Sequence, residues 1–562
     1  MSKKLRPVRG TKGGRNSYKY RLYGLGLSLP VVLAVVPAAH ALQLYDGRSN
    51  GNNLEINLDI TASYSGQMRV GRQTQVLVSG ASNANGNDGD ANFRQGSITD
   101  NQFEVLPVLD IKDQNFGMHF SGEYYINTVY LGTNQNNQAS TVNPILGKNT
   151  NFASETRTAN GNNGRMLDAF VYDSWNFGAA QVITLKAGQQ TLFWGQSLRS
   201  TDGISGGQAP VDVLSASQLN NPQAQQVFLP VGQIVATYQP NTTYMIQGYY
   251  QYQWEPYNFA GVGSYQSGTD VLGPGGYRII AEPGLYLLRT KDLSPESQNG
   301  QFGLSVQAQY GDYDIGLYGL RYDNKTPNVY VNVPSHIQPT PGGLAIGQYT
   351  AVYARDIWLY GTSLSTTVGA TNLAGEISLR THDPLVGSTA AGMQKAGDMG
   401  NANSNPLYPV GNVVVGLING IYASPSLMLA PGGITVTGEL EWDNVIRVTR
   451  NPQLLAPGRS SEAASLNLSV TPAYFEVLPH LELQFPVDLS YNFAGNSQVN
   501  EAMNNGTGNY SFGVTATYQE TWNASLIYQG YFGKAGTNPS VAHISASPPD
   551  RAYVSLSLQH TF

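Results

Sequence analysis

The chain has 562 residues, a formal net charge of -6 at pH 7, no cysteine, and only 12% charged residues, about half the share found in soluble domains. These values exclude disulfides, thiolate metal sites and thiol catalysis, and the acidic balance argues against a nucleic-acid partner. Polarity comes instead from 63 glycines, 35 tyrosines and many uncharged polar residues, a mixture that suits a sheet with one lipid-facing side and one watery side.

The first 41 residues predict a cleaved signal peptide. Eight basic residues and no acidic one precede position 22, an apolar run covers 25–36, and Ala39-His40-Ala41 gives the small-x-small pattern for a cut after Ala41. The alternative is a signal anchor, but the run is short for a span of about 20 residues. The rest of the chain has 23 basic and 37 acidic residues, a balance near -14.

Strict alternation of apolar and polar residues follows the signal segment. Over 54–64 every even position is apolar and every odd position is polar, and the pattern returns over 434–443, 481–492 and 510–518. Successive side chains of a strand point to opposite faces. Several runs reach the length of about 9 to 11 residues that crosses a bilayer at a tilt. No later stretch has the length of a transmembrane helix, so strands must do the crossing.

The predicted strands are separated by gaps that alternate between long and short, as in outer-membrane barrels. The strands are 54–70, 103–112, 116–130, 166–176, 181–190, 232–240, 243–254, 301–311, 313–323, 357–369, 373–381, 412–422, 434–445, 466–476, 481–492, 509–519, 522–532 and 551–562. Residues 42–562 therefore form one all-β domain, a transmembrane antiparallel β-barrel of about 18 strands in the bacterial outer membrane. Because 313–323, 357–369 and 412–422 alternate poorly, 16 strands is an alternative.

The last predicted strand stops at the carboxyl terminus. Val554, Leu556, Leu558 and Phe562 share one face of it. This arrangement resembles the signal that the barrel assembly machinery reads, so that machinery and outer-membrane lipid are predicted partners. His560 departs from the pattern, which usually has an apolar or aromatic residue at that place.

From residue 166 onward the chain resembles domain-of-unknown-function family 1302 (DUF1302). The matching segments, in order, are 167–171, 187–190, 193–197, 203–204, 209–213, 229–231, 250–256, 356–361, 375–380 and 550–554. In the family's core motif, Gln189, Phe193 and Gln196 replace an Arg, an Asn and a Glu. The resemblance implies a proteobacterial outer-membrane barrel, often encoded beside a periplasmic lipoprotein-sorting-like protein, and it implies no substrate.

Two short motifs raise the possibility of a hydrolase. Residues 203–207 match the G-x-S-x-G elbow, which needs a preceding strand and a following helix; here chance in a Gly/Ser-rich loop explains it. His119 and Ser121 share one strand face, as in an outer-membrane phospholipase, but parity turns His119 toward the lumen. The other histidines lack metal-ligand spacing, and 87–90 reads as a flexible loop rather than a Ca²⁺ site. No catalytic residue, metal or cofactor is predicted.

Parity predicts which side chains face the lumen. These are Glu55, Asp59, His119, Glu376, Arg380, Glu439, Glu441, Glu482 and Asp488. Glu376 and Arg380 lie four apart and could form part of a charge ladder. Since the set is acidic, a wide pore should disfavour anions; the alternative is that the carboxylates are only solvated wall.

The segment 191–231 differs from the other long gaps because it contains short apolar stretches. Apolar stretches are unfavourable in a loop exposed to water, so we expect the segment to fold into the lumen or across its mouth and to narrow the pore. Its candidate constriction residues are Trp194, Gln196, Asp202 and Asp212.

Three functions remain open at this stage. The first is a channel or facilitated transporter for small hydrophobic or aromatic molecules, which would act passively. The second is a structural barrel that serves envelope lipid trafficking with the periplasmic lipoprotein-sorting-like protein. The third is an outer-membrane hydrolase, although no Ser/His/acid cluster can be assembled for it from the sequence.

Overall fold

The computed structural model describes residues 42–47, 51–79, 84–137, 149–178, 180–293, 300–395, 400–427, 430–533 and 549–562. The predicted signal peptide and its cleavage site lie outside this range, apart from Leu42 on the far side of the cut. Within the described part of the chain, no helix is long and apolar enough to cross a membrane.

Antiparallel strands form one barrel wall. In chain order they are β1 Leu54–Arg69, β2 Ile98–Asp113, β3 Phe116–Asn127, β4 Asn162–Phe177, β5 Gln181–Gln190, β6 Val231–Gln239, β7 Tyr244–Gln251, β8 Gln301–Tyr310, β9 Tyr313–Tyr322, β10 Ile357–Val368, β11 Thr371–Pro384, β12 Val410–Ser424, β13 Ile434–Arg450, β14 Glu462–Leu478, β15 (two segments, Leu481–Gln484 and Val487–Ala494), β16 Thr507–Tyr518, β17 Trp522–Phe532 and β18 Tyr553–Thr561. Each strand pairs with the next, and β1 pairs with β18, which closes the ring at 18 strands.

A short leading strand completes the seam between the first and last strands. The chain ends part of the way along β1, where the Phe562 amide donates to the carbonyl oxygen of Ile60 at 3.0 Å. The leading strand, Leu42–Asp46, then pairs with β1 from the register Leu42↔Leu58 onward. Because an unpaired strand edge would be costly in lipid, this strand covers the part of β1 that β18 leaves free.

The prediction of 18 strands is confirmed, and the alternative of 16 is wrong. The three poorly alternating segments are the barrel strands β9, β10 and β12. Tyr318, Leu320 and Leu359 point inward from β9 and β10 and are buried, while Leu317 and Tyr360 on the same strands are exposed on the outside. These strands are apolar on both faces, which removes the alternation.

The two ends of the barrel differ. At one end, called the turn end, short connections join the strands, and Gln114, Gln519 and Glu520 adopt positive φ angles of 53°, 51° and 61° there. At the other end, called the loop end, the connections are long. The short gaps at 113–115, 240–242 and 520–521 lie at the turn end, and the predicted long gaps lie at the loop end.

The long loops are more ordered than their composition predicts. Three of them contribute to a second, six-stranded sheet, called the loop sheet. Its strands are Arg278–Glu282, Leu285–Arg289, Pro327–Asn332, Gln338–Thr340, Gly343–Tyr353 and Met393–Gln394. A buried cluster that includes Trp254, Leu272 and Tyr349 supports the sheet, so the described parts of these long loops contain ordered structure.

Short helices occur mainly in the loops. The α-helices are Gln75–Ser79, Asp88–Ala91, Thr128–Leu131, Ser154–Thr156, Val213–Gln218 and Ala224–Val227, with 3₁₀ turns at Ile204–Gly207 and Pro452–Leu454 and a π turn at Arg157–Gly161. The expectation of a flexible loop at 87–90 is wrong. Asp90 forms an ion pair with Arg69 at 2.6 Å and Asp88 with Arg278 at 3.3 Å, all four largely buried, so these acids fix the loop.

Candidate functional site: a loop bound across the lumen

The inner and outer faces of the barrel wall are opposite in character. On β11, Glu376 is 7% exposed whereas its neighbour Ile377 is 50% exposed; on β13, Glu439 is 2% exposed and Leu440 is 48% exposed. The exposed apolar side chains form the outer surface, and the acids point into the lumen. Apolar-out and polar-in alternation is the expected arrangement of a barrel in lipid.

Residues 191–230, between β5 and β6, fold inside the barrel; we call them the crossing loop. Trp194 enters first and is buried, and its indole Nε1 donates to Gln247 Oε1 at 2.8 Å. Its ring packs against Tyr249 and Tyr318, with centroid distances of 5.1 and 5.9 Å. These inward-facing aromatics form the apolar wall on which the loop begins.

Glu376 binds the backbone of the crossing loop. Its two carboxylate oxygens accept the amide of Gln196 at 2.5 Å and that of Ile204 at 2.7 Å. Asn419, on the next strand, donates to the carbonyl oxygen of Gln196 at 2.6 Å. Ile204 is fully buried in the same apolar cluster as Trp194, so polar and apolar contacts fix one stretch of backbone together.

Glu439 makes a second carboxylate contact of the same kind. Its oxygens accept the amides of Leu198 at 2.6 Å, Arg199 at 3.0 Å and Ser200 at 2.8 Å. The Arg199 guanidinium reaches Asp488 at 2.9 Å. Buried amides must find acceptors, and the loop, which has little secondary structure of its own here, finds them on the barrel wall.

Arg380, four residues after Glu376 on β11, also binds the crossing loop. Its guanidinium donates to the carbonyl oxygens of Asp202 and Gly203, the latter at 3.2 Å. The carboxylates of Asp202 and Asp383 lie 4.0 and 3.9 Å from it. Glu376 and Arg380, predicted as part of a charge ladder, therefore bind the loop: the acid takes its amides and the guanidinium its carbonyls.

The far half of the crossing loop is attached to the opposite side of the ring. Asp212 caps the helix Val213–Gln218 by accepting the Ser215 amide at 2.8 Å, and it forms an ion pair with Arg165 of β4 at 2.5 Å. Arg165 also contacts Glu123 of β3 at 2.6 Å. Because β3 and β4 face β12 and β13 across the ring, the loop spans the lumen.

Amide side chains complete the attachment. Gln218 donates to Asp100 at 2.7 Å, and Gln226 donates to Glu104 at 2.5 Å and to Glu123 at 3.1 Å. Between these helices Asn220 contacts Ser525 and Ser555, on β17 and β18, at 3.1 and 2.7 Å. The loop is thus bonded to strands around much of the barrel.

A lysine from another loop secures the 3₁₀ turn. Lys325 lies just beyond β9, is buried, and donates from Nζ to the carbonyl oxygen of Gly207 at 2.8 Å. Burial lowers the pKa of Lys325 to about 7, although nearby Asp323 acts in the other direction. This contact joins the crossing loop to the loop end of the barrel.

A cavity of about 470 Å³ lies between the crossing loop and the long loops at the loop end. Thr201 and Asp202 of the crossing loop, Arg380 and Asp383 of β11, and aromatic side chains from three other segments line it. A space of this size can hold a small organic molecule.

The remaining predicted lumen residues are spread along the wall. Glu441 is buried near the crossing loop, whereas Glu55, Asp59 and Glu482 are half-buried toward the turn end. His119 contacts Asp110 at 2.7 Å and stacks on Phe170 with centroids 5.1 Å apart. Whether these side chains act on a permeating molecule stays a prediction.

Neither hydrolase motif has the local structure or the side-chain contacts that such enzymes require. Residues 203–207 form a 3₁₀ turn inside the lumen, without the preceding strand and following helix of a nucleophile elbow. Ser121 accepts the backbone amide of Asp168 at 2.9 Å, and His119 contacts Asp110. Among the described residues no group of His, Cys, Asp and Glu side chains could hold a metal ion.

The residues of the predicted assembly signal lie on the outer face of β18. Leu556, Leu558 and Phe562 are exposed there, whereas Ser555, the residue before Leu556, is buried inside. His560 stacks on Trp522 at 4.2 Å and packs edge-on against Phe562 at 4.4 Å. His560 therefore makes the ring contacts that an aromatic residue would make at this place. Recognition by the assembly machinery stays a prediction.

Several residues that hold the crossing loop were not predicted. Asp100 and Arg165 lie just before the predicted starts of their strands, at 103 and 166, so no face could be assigned to them. Glu104 and Glu123 lie within predicted strands at positions whose parity points inward, so their lumen orientation could have been predicted. Lys325 has no signal, because its role depends on two loops that meet only in the folded chain.

A closed antiparallel barrel with an apolar outer face and a polar interior is the architecture of a bacterial outer-membrane protein. The chain belongs to the family described as "Protein of unknown function (DUF1302)", which matches residues 24–562. No curated protein matches it significantly in sequence.

Solved outer-membrane structures resemble the chain distantly. Acinetobacter baumannii OccAB1 has 10% identity and a TM-score of 0.43, covering 90% of this chain and 96% of that one. The outer membrane channel DcaP of the same organism has 10% identity and a TM-score of 0.38, with 91% and 97% covered. OmpT of Vibrio cholerae has 8% identity and a TM-score of 0.37, with 93% and 100% covered. Because these identities and TM-scores are low, the fold is argued from the strand pairing of this chain and not from the similarity.

Proposed function

We propose that this protein is a passive outer-membrane channel for small, apolar or aromatic molecules, with the crossing loop as its constriction. One observation supports this most strongly: the loop is bonded to opposite walls of the lumen and has a cavity of about 470 Å³ on its loop-end side. A solute would enter that cavity from the loop end and pass the crossing loop on the way to the turn end.

The apolar part of the substrate class is supported by the cavity walls. Phe259, Val329, Leu385 and Val499 line it together with tyrosines. Apolar and aromatic walls with a few polar groups are typical of small-molecule sites. Passive movement of this kind needs only binding and release along a concentration gradient.

Deletion of residues 200–225 tests the proposal by single-channel recording in planar bilayers. We expect the deletion variant to conduct severalfold more than the intact protein, because the deletion removes most of the material that crosses the lumen. Heat-modifiable migration of the barrel in a denaturing gel reports whether the variant has folded.

A second variant, in which 200–225 is replaced by a Gly/Ser segment of equal length, is the matched control. It keeps the chain length but loses the carboxylate-bound backbone geometry, and we expect a noisy conductance between the other two. Folded intact protein that passes no current, or a folded deletion variant with unchanged conductance, would contradict the proposal.

A further inference from the structure

We propose that the cavity on the loop-end side of the crossing loop selects organic cations over anions of the same shape. These cations are apolar or aromatic molecules with one protonated amine. This inference rests on the channel proposed above and names the charge of its substrate. It is argued from the charged and aromatic groups that line the cavity.

The charges on the cavity wall are unequal. Asp202, Asp383 and Glu501 contribute three carboxylates, and Arg380 is the one cationic side chain in the described lining. A cavity lined mainly by one sign of charge concentrates ligands of the opposite sign. The lining therefore attracts cations and repels carboxylates.

The one guanidinium is already engaged. Arg380 donates to the carbonyl oxygens of Asp202 and Gly203 and lies 3.9 Å from Asp383 and 4.0 Å from the Asp202 carboxylate. An anionic ligand would have to displace the crossing loop from this guanidinium and approach two carboxylates at the same time. Arg380 is thus a structural cation and a poor anion site.

Asp383 has unused capacity for a donor. It is 5% exposed, and within the described part of the chain its Oδ2 atom, 3.9 Å from the Arg380 guanidinium, has no hydrogen-bond donor. Buried carboxylate oxygens are normally hydrogen-bonded, and Asp383 lines the cavity. A ligand ammonium is the kind of group that would satisfy it.

Aromatic rings surround the same space. Tyr257, Phe259, Tyr322 and Tyr408 all line the cavity. Aromatic faces attract cations through their quadrupoles and provide apolar contact for the rest of the ligand. Two cations just outside the described lining are engaged as well: Lys325 donates to the carbonyl oxygen of Gly207 at 2.8 Å, and Arg459 donates to those of Ser497 and Glu501 at 2.5 and 3.1 Å.

The test compares three molecules of similar shape as blockers of single-channel current through the full chain: 2-phenylethylamine, 2-phenylethanol and 3-phenylpropionate. We expect the amine to block at about fivefold lower concentration than the acid, with the alcohol between them. In Asp383→Asn this preference should largely disappear. Asp312→Asn, which removes an exposed carboxylate from the turn between β8 and β9, is the matched control and should keep it.

The reversal potential of the unmodified protein in a KCl gradient gives a second measurement that needs no variant, and it should show cation selectivity. Equal or stronger block by the acid, or anion selectivity, overturns the inference while leaving the channel in place. Folded protein without any current overturns the channel itself and the selectivity with it.

Discussion

Glu439 shows how single residues hold the crossing loop. One carboxylate accepts three successive backbone amides, those of Leu198, Arg199 and Ser200, and no neutral side chain of the same size offers that many acceptor sites. The strict alternation of β13 made its inward orientation predictable from sequence. Its three partners were not predictable, because they follow from the path of a distant loop.

The substitution Glu439→Gln should loosen the crossing loop without unfolding the barrel. The amide replaces one acceptor by a donor that faces backbone donors, and a buried group left unsatisfied costs about 1–3 kcal/mol. We expect larger and more fluctuating single-channel currents and an unchanged thermal unfolding temperature of the barrel. Glu482→Gln is the control; equal current fluctuations in both variants would show that Glu439 does not hold the loop.

At the scale of elements, strands were predicted well and loops poorly. Strand segments carry their own signal, since lipid on one side and polar lumen on the other impose a period of two. Where the inner face packs on the crossing loop, as in β9 and β10, that signal fades. The loop sheet lacks such a local pattern because its strands pair across three separate loops, including the parallel pairing of Leu285–Arg289 with Gly343–Tyr353.

Loop order at the loop end should depend on pH through Asp270. Burial, and after it nearby Asp88, raise the pKa of Asp270 to about 8, against the opposing effects of Arg278 and the amides of Asn87 and Asp88. The folded loop then holds a proton that the unfolded loop releases between about pH 4 and 8. Its free energy of unfolding therefore falls as pH rises through this interval.

Hydrogen exchange of residues 84–95 measures this dependence. After correction for the intrinsic exchange rate, we expect stronger protection at pH 6 than at pH 8.5. In Asp270→Asn, which stays neutral and keeps an acceptor for the two amides, protection should vary little with pH. Protection in the unmodified protein that is constant or increases across this range would contradict the assignment.

At the scale of the whole molecule, the ring of strands forms the wall, and the crossing loop is bonded to opposite sides of that wall across the lumen. The ring and its closure followed from alternation, gap lengths and the terminal strand. The path of the crossing loop was foreseen only in outline, from apolar residues in a polar chain. Its contacts with both walls depend on distances across a closed barrel, which local sequence does not encode.

The absence of cysteine from the chain allows a direct test of the central claim, that molecules cross the barrel beside the crossing loop. Thr201→Cys places one thiol on the loop in the cavity wall, and Ile377→Cys places one on the outer face. A bulky water-soluble thiol reagent is added during single-channel recording. The account predicts a stepwise fall in current for Thr201→Cys and none for Ile377→Cys. An unchanged current after verified labelling of Thr201→Cys would contradict it.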